Sequence, residues 1–147
     1  MLIGIDRRFT AELLHCLASL GHGDEIVVSD TNFPSHSTAA ETLFGKPVEL
    51  PGMSAPDAIG LITQLMPLDD FVPYCALRME IDGKPDEMTD AHAEAFAVLA
   101  RVKSEKAGLG SIERQAFYKR ANRAFAVIRT GETRPYGCFI LRMGVVF

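Results

Sequence analysis

Two titratable residues bracket a short apolar run in the first fifth of the chain. His22 precedes Ile26-Val27-Val28, and Asp30 follows it. A histidine carries a proton near neutral pH, and a carboxylate can fix a hydroxyl or orient an imidazole, so the pair points to general acid–base work. His36 follows in a loop constrained by Pro34, and His92 lies far downstream. Each residue also has a purely structural use. A histidine after a helix can bond the terminal carbonyls, Asp30 can cap the next turn, and His36 can stand on the surface. A metal site drawn from His22, Asp30, His36 and His92 fits no standard ligand spacing. The sequence contains no Walker loop, GxGxxG, GxSxG elbow or HExxH helix.

These residues need elements to hold them. Thr10 reads as the cap of a first helix, with Leu13, Leu14, Leu17 and Leu20 on its apolar face and Gly21 as its stop. The Ile26-Val27-Val28 run suits a strand buried on both faces, which puts Asp30 at a strand's carboxyl end, where open α/β sheets gather ligands. His22, ahead of that strand, needs a turn of chain or a neighbouring subunit to join the same pocket. A short helix is expected over 37–44 and a strand over 48–50. Ser54 caps a helix whose apolar stripe is Ala58, Leu61, Ile62, Leu65 and Met66. Residues 75–81 alternate, with Cys75, Leu77, Met79 and Ile81 on one face and Ala76, Arg78 and Glu80 on the other. A helix capped by Thr89 should run to about residue 106, with Gly108 and Gly110 beyond it, and a helix from Ser111 to Ala124 follows. Strands are expected over 125–129 and 136–143. Helices alternating with strands indicate a three-layer α/β/α fold with a mixed sheet, in a single domain over 1–147, and turns at Asp82-Gly83 and Thr130-Gly131-Glu132 allow antiparallel neighbours.

The 147 residues carry 19 acidic and 15 basic side chains, a formal charge of −4. That balance speaks against nucleic acid as a partner. The Lys119, Arg120 and Arg123 cluster reads as a solvated helix face. No apolar run approaches the ~20 residues that span a bilayer, and Asp6-Arg7-Arg8 interrupts the N-terminus too early for a signal peptide. Three widely spaced cysteines, Cys16, Cys75 and Cys138, suit a reduced, cytoplasmic setting.

Four separated segments carry a more specific signal. Leu20-Gly21-His22-Gly23-Asp24-Glu25 with Ser29-Asp30-Thr31-Asn32-Phe33-Pro34-Ser35-His36-Ser37 is the first pair. Arg114-Gln115-Ala116-Phe117-Tyr118-Lys119-Arg120-Ala121, then Phe125 to Glu132, then Tyr136-Gly137 before a closing apolar strand, complete the set. Together they resemble the family of the fucose mutarotases and D-ribose pyranases. The wording Gly21-His22-Gly23-Asp24 and Phe33-Pro34-Ser35-His36 resembles its fucose branch.

The resemblance implies interconversion of the α and β anomers of L-fucose or a related pyranose, an isomerase reaction that needs no cofactor and no metal. It makes His22 the proton donor, and Asp30, Arg114, Tyr136, Gly137 and Cys138 the sugar contacts. Tyr136 would orient the sugar and can relay the second proton. It also implies a ring-shaped homo-oligomer, often a decamer of two pentameric rings, with sites at subunit boundaries. Two positions depart from the family pattern. Cys138 replaces an asparagine, a weak hydrogen-bonding group in place of a strong one, and Asn32 stands where a histidine is frequent. The segment from Asp82 to Gly110 matches least. The competing expectations are a ribose pyranase-type activity on another monosaccharide, and a sugar-binding or transport-associated module without catalysis.

Overall fold

A computed structural model describes residues 2–147. Six strands form one sheet: β1 (Glu25–Ser29), β2 (Val48–Leu50), β3 (Tyr74–Met79), β4 (Gly108–Ile112), β5 (Ala126–Thr130) and β6 (Phe139–Arg142). Their order is β2-β5-β1-β6-β3-β4. β1 and β5, β2 and β5, and β3 and β4 pair in parallel, whereas β6 is antiparallel to both β1 and β3. Every carboxyl end except that of β6 therefore lies along one edge, joined there by the amino end of β6.

Five helices cover the two faces: α1 (Ala11–Ser19), α2 (Ser35–Ala40), α3 (Ala55–Ile62), α4 (Asp90–Val102) and α5 (Arg114–Ala121). Leu13, Cys16 and Leu17 of α1, Ile59, Leu61 and Ile62 of α3 and Leu99 of α4 pack with Ile26, Val28, Ile128 and Leu141 of the sheet. On the other face Ala39 of α2 and Phe117 and Ala121 of α5 meet Val27, Val127 and Ile140. Alternate residues of β1 thus enter opposite cores, so the expected three layers and doubly buried strand are both present.

The caps read from sequence also form. Thr10 accepts from the Leu13 amide, and Ser54 accepts from the Asp57 amide. Other boundaries differ. α2 starts at Ser35, directly after Pro34, and α4 ends at Val102 because Lys103 turns extended. Residues 136–138 precede β6 instead of starting it, with a turn at 135–136 and irregular backbone at 137–138. β3 stops at Met79 and is buried on both faces, Arg78 included, because β6 and β4 flank it and helices cover it. β4 falls where two glycines read as a helix stop: a Cβ on Gly110 would lie 2.8 Å from the Tyr74 ring, so the glycine permits the two strands to close up. Neither expected turn joins two strands of the sheet, although Asp82-Gly83 closes one antiparallel bridge between Ile81 and Lys84. β3 leads through α4 to its parallel neighbour β4, and β1 lies between β5 and β6.

Gly131, at the end of β5, shows how tightly that edge is set. Its amide donates to the Met53 carbonyl at 2.8 Å, and a Cβ there would lie 2.2 Å from the Pro51 carbonyl oxygen. Both obstacles are backbone, so Gly131→Ala should cost at least about 3 kcal/mol. Urea titration of the variant checks this; an unchanged midpoint would show that the 51–53 loop yields freely.

Candidate active site

The carboxyl edge holds a cavity of about 330 Å³ lined by Asp30, Asn32, Phe33, Met79, Asp82, Arg114, Tyr118, Pro135, Tyr136 and Cys138. Topology explains the gathering. Asp30 follows β1, Asp82 follows β3, Arg114 follows β4, and Tyr136 to Cys138 precede β6. The cavity sits where antiparallel β6 interrupts the parallel strands, and crevices of this kind hold ligands in open α/β sheets.

Each side chain is held by its own element. Asp30 is buried, and its Oδ1 accepts from the amides of Asn32 (3.0 Å) and Phe33 (2.9 Å). The capping role foreseen for Asp30 is therefore real, and it leaves Oδ2 for a ligand. Arg114 opens α5, whose N-terminus is capped by Glu113 accepting from the amides of Gln115 and Ala116. Its Nε donates to both Asp82 carboxylate oxygens at 2.9 Å, and its two Nη groups keep their donors. Tyr118 lies one turn along, with its ring 6.0 Å from the Arg114 guanidinium and stacked on Phe33 at 5.4 Å.

Tyr136 has φ 58°, the left-handed region that L side chains rarely adopt and that costs on the order of 1–3 kcal/mol. Its carbonyl accepts from the Cys138 amide at 2.7 Å. Gly137 must be glycine, because a Cβ would lie 2.6 Å from Glu132 Cγ. Cys138 is buried against Asp30, whose amide donates to its Sγ at 3.5 Å. Burial first, and then the Asp30 charge, push the Cys138 thiol well above its usual range, so it stays protonated. The cavity thus offers two carboxylates, a guanidinium and two phenols beside apolar surface from Phe33 and Met79. That suits a polyol bearing both hydroxyls and an apolar face.

His22 does not reach this cavity. It lies at the amino edge, separated from Asp30 by the length of β1, about 17 Å at ~3.3 Å per residue. There its Nε2 lies 3.2 Å from Asp69 Oδ1, and its ring meets the Phe71 ring edge-on at 5.5 Å. Asp69 is 1% exposed, whereas the His22 side chain is 47% exposed. Burial opposes ionisation of Asp69, but the Phe71 amide, Arg142 and His22 outweigh it and hold the carboxyl below its ordinary range. The result is a fixed carboxylate orienting an accessible imidazole, an arrangement fitted to proton transfer. Phe71 is exposed beside it.

The remaining candidates separate. His36 is exposed on α2, 3.4 Å from Glu49, as its surface reading required. His92 is buried in the first turn of α4. Among the described residues no group of three or more His, Cys, Asp or Glu side chains could hold a metal ion. Arg120 turns inward to Glu25 at 2.6 Å, which breaks up the basic cluster around Lys119. Asp82, Tyr118 and Asp69 were missed. Tyr118 had a signal, since residues four apart share a helix face and Arg114 was already singled out. Asp69 had none, because 47 residues separate it from His22.

Comparisons with known proteins bear on the family and the fold. The profile of the RbsD / FucU transport protein family matches residues 3–146. The fucose mutarotase of Bos taurus is 41% identical over 152 residues, covering 99% of this chain and 95% of its own length. The crystal structure of protein Atu2016 superposes with a TM-score of 0.95 at 42% identity, covering 100% of this chain and 97% of that one. The fucose mutarotase of Streptococcus pneumoniae, solved in complex with L-fucose, gives a TM-score of 0.87 at 32% identity, covering 99% of this chain and 100% of that one. No helix among the described residues is long and apolar enough to cross a membrane.

Proposed function

The chain belongs to the RbsD / FucU family, and from that premise we propose that it is an isomerase interconverting the α and β anomers of L-fucose. The observation that carries this reading is the carboxyl-edge cavity, where Asp30, Arg114, Tyr118 and Tyr136 converge beside Phe33 and Met79. Charge-assisted hydrogen bonds from Asp30 and Arg114 hold hydroxyls, and the apolar wall accepts the methyl group of a 6-deoxy sugar.

Mutarotation opens the ring to the aldehyde and closes it on the other face. The ring oxygen gains a proton as the anomeric hydroxyl loses one, and closure reverses both transfers. His22 gives and recovers the ring-oxygen proton; Tyr136 orients the sugar and relays the other. Asp69 fixes the imidazole through Nε2, leaving Nδ1 to face the substrate.

Since His22 and the cavity lie at opposite edges of one sheet, the working site is composite. The amino edge of one subunit, with His22 and Asp69, meets the Asp30 and Arg114 cavity of the next in a ring-shaped homo-oligomer, a decamer of two pentameric rings. Exposed Phe71 beside His22, and exposed Val146 and Phe147 at the end of the chain, supply apolar surface for such contacts. Light scattering that returned a monomer at working concentration would rule the composite site out. One fucose mutarotase-like domain spans 1–147, and its three free, buried cysteines suit the cytoplasm.

The decisive experiment is magnetisation-exchange NMR on L-fucose at anomeric equilibrium. Added protein should transfer signal between the two anomeric protons. A second reading, a module that binds monosaccharides without catalysis, draws on the buried thiol of Cys138; binding without transfer would favour it. Transfer for D-ribose but not L-fucose would move the substrate to the pyranase branch. Cys138→Asn, nearly equal in volume, should tighten L-fucose binding by up to about tenfold, because an amide supplies the strong donor and acceptor that a thiol lacks. Weaker binding in an NMR titration would show that the cavity is adapted to sulfur.

A further inference from the structure

His92 lies outside the cavity, yet it is tied to the cavity's tyrosine. It is wholly buried at the third position of α4, with its ring edge-on to Phe139 at 5.8 Å. Thr89 accepts from the His92 amide, and the Thr89 amide donates to His92 Nδ1 at 3.2 Å, closing a capping box. An Nδ1 that accepts a hydrogen bond carries no proton, so the neutral ring bears its proton on Nε2. That Nε2–H points at the Tyr136 carbonyl, 2.8 Å away. Two constraints therefore select one tautomer and direct its single donor at a residue in left-handed backbone.

The surroundings keep the ring uncharged. Arg78, only 5% exposed, lies beside it; its Nη2 donates to the Pro85 carbonyl at 2.7 Å, and its Nη1 has no hydrogen-bond partner among the described residues. Glu80 and Asp86 act on this cation only from a distance, and a buried charge without a direct ion pair disfavours a second positive charge beside it. Burial first, and then Arg78, push the imidazole below its ordinary range despite the opposing pull of the Tyr136 carbonyl.

We propose that His92 is a positioning residue for the reaction, whose neutral Nε2–H clamps the Tyr136 carbonyl, holds the left-handed turn, and so aims the Tyr136 ring into the sugar cavity from the first turn of α4. Its kinetic consequences rest on the mutarotase reading above; the clamp itself does not. Three substitutions separate capping from clamping. Glutamine suits this position of a capping box and retains a donor for Tyr136, whereas glutamate suits the box but has no proton to donate when ionised. His92→Ala removes both contacts.

His92→Gln should keep KM for L-fucose within about twofold of the parent, while His92→Glu, of nearly the same size, should raise it about tenfold. Equal KM values for the two variants would overturn the proposal, since a cap alone does not distinguish them. A second measurement is independent of activity. Long-range 1H–15N spectra of the unsubstituted protein should show one buried histidine, identified by its loss in His92→Gln, protonated at Nε2 and bare at Nδ1. An Nδ1–H tautomer or a doubly protonated ring at neutral pH would overturn the clamp. If the unsubstituted protein fails to exchange anomers, the functional reading fails, and the tautomer still decides for or against the clamp.

Discussion

Replacing His22 with alanine should slow anomer exchange by roughly 10²–10⁴, the usual worth of one positioned acid–base group, and leave the melting temperature nearly unchanged. Both halves follow from the geometry. The His22 side chain is 47% exposed and makes one polar contact, to Asp69. Removing it leaves Asp69 still bound by the Phe71 amide at 3.0 Å and by Arg142 Nε at 2.9 Å. Little packing is lost, and no charge is left buried alone. The chemistry loses an exposed imidazole oriented by a buried carboxylate. Asp69→Asn gives the contrasting pattern. It leaves the imidazole present but poorly oriented, and it leaves Arg142 short of a partner, so exchange falls less and stability falls more. Exchange rates from saturation transfer, with thermal melts of the same samples, check both variants. Undiminished exchange in His22→Ala would remove His22 from the mechanism.

The second large effect is on stability and acts through pH. Glu132, at the exit of β5, is 3% exposed and accepts from Arg134 Nε and Nη2 at 2.8 Å each, from the Arg134 amide at 3.0 Å, and from the Ala55 amide at 3.3 Å. Arg134 first, then its own amide and that of Ala55, outweigh the burial penalty and bring the Glu132 carboxyl down to about 2 from an ordinary 4.5. A carboxylate that is more acidic in the folded state stabilises the fold above its unfolded value and loses that contribution as pH falls through the folded value. The depression corresponds to about 3 kcal/mol at neutral pH. It is fully present above pH 4.5 and disappears toward pH 2. Glu132→Gln should therefore cost about 2–4 kcal/mol at pH 7 and flatten the acid limb of stability over the same interval. Urea midpoints from pH 2 to pH 7 test this; an acid limb of parental steepness would assign it to other carboxylates.

Much of this architecture was legible because it is local. The Thr10 and Ser54 caps, the all-apolar Ile26-Val27-Val28 run and the leucines of α1 each carry their signal within a few residues. β4 was hidden because Gly108 and Gly110 answer to Tyr74 of a neighbouring strand, a contact that no periodicity displays. The split between His22 and Asp30 was legible in part: one residue before a strand and one after it cannot share an edge. Asp69 and Asp82 were not legible, because their roles come from topology. Only the finished sheet brings Asp69 to His22 across 47 residues and Asp82 to Arg114 across 32. Tyr136 was found through family wording, whereas its left-handed backbone and the histidine behind it are visible only in three dimensions.

The antiparallel strand β6 has a consequence for the birth of the molecule. It is wedged between β1 and β3, yet it follows both of them, and β4 and β5, in sequence. During vectorial synthesis the two flanks of the sheet are thus complete while the central slot is still empty. The flank of β2, β5 and β1 and the flank of β3 and β4 meet through no strand pairing until residues 139–142 thread between them. Such long-range closure comes late and makes folding slow. Tyr136 to Cys138 arrive on the same segment, so a nascent chain cannot hold a sugar before its sheet is sealed, and an unsealed chain bares two unpaired strand edges for quality control to recognise.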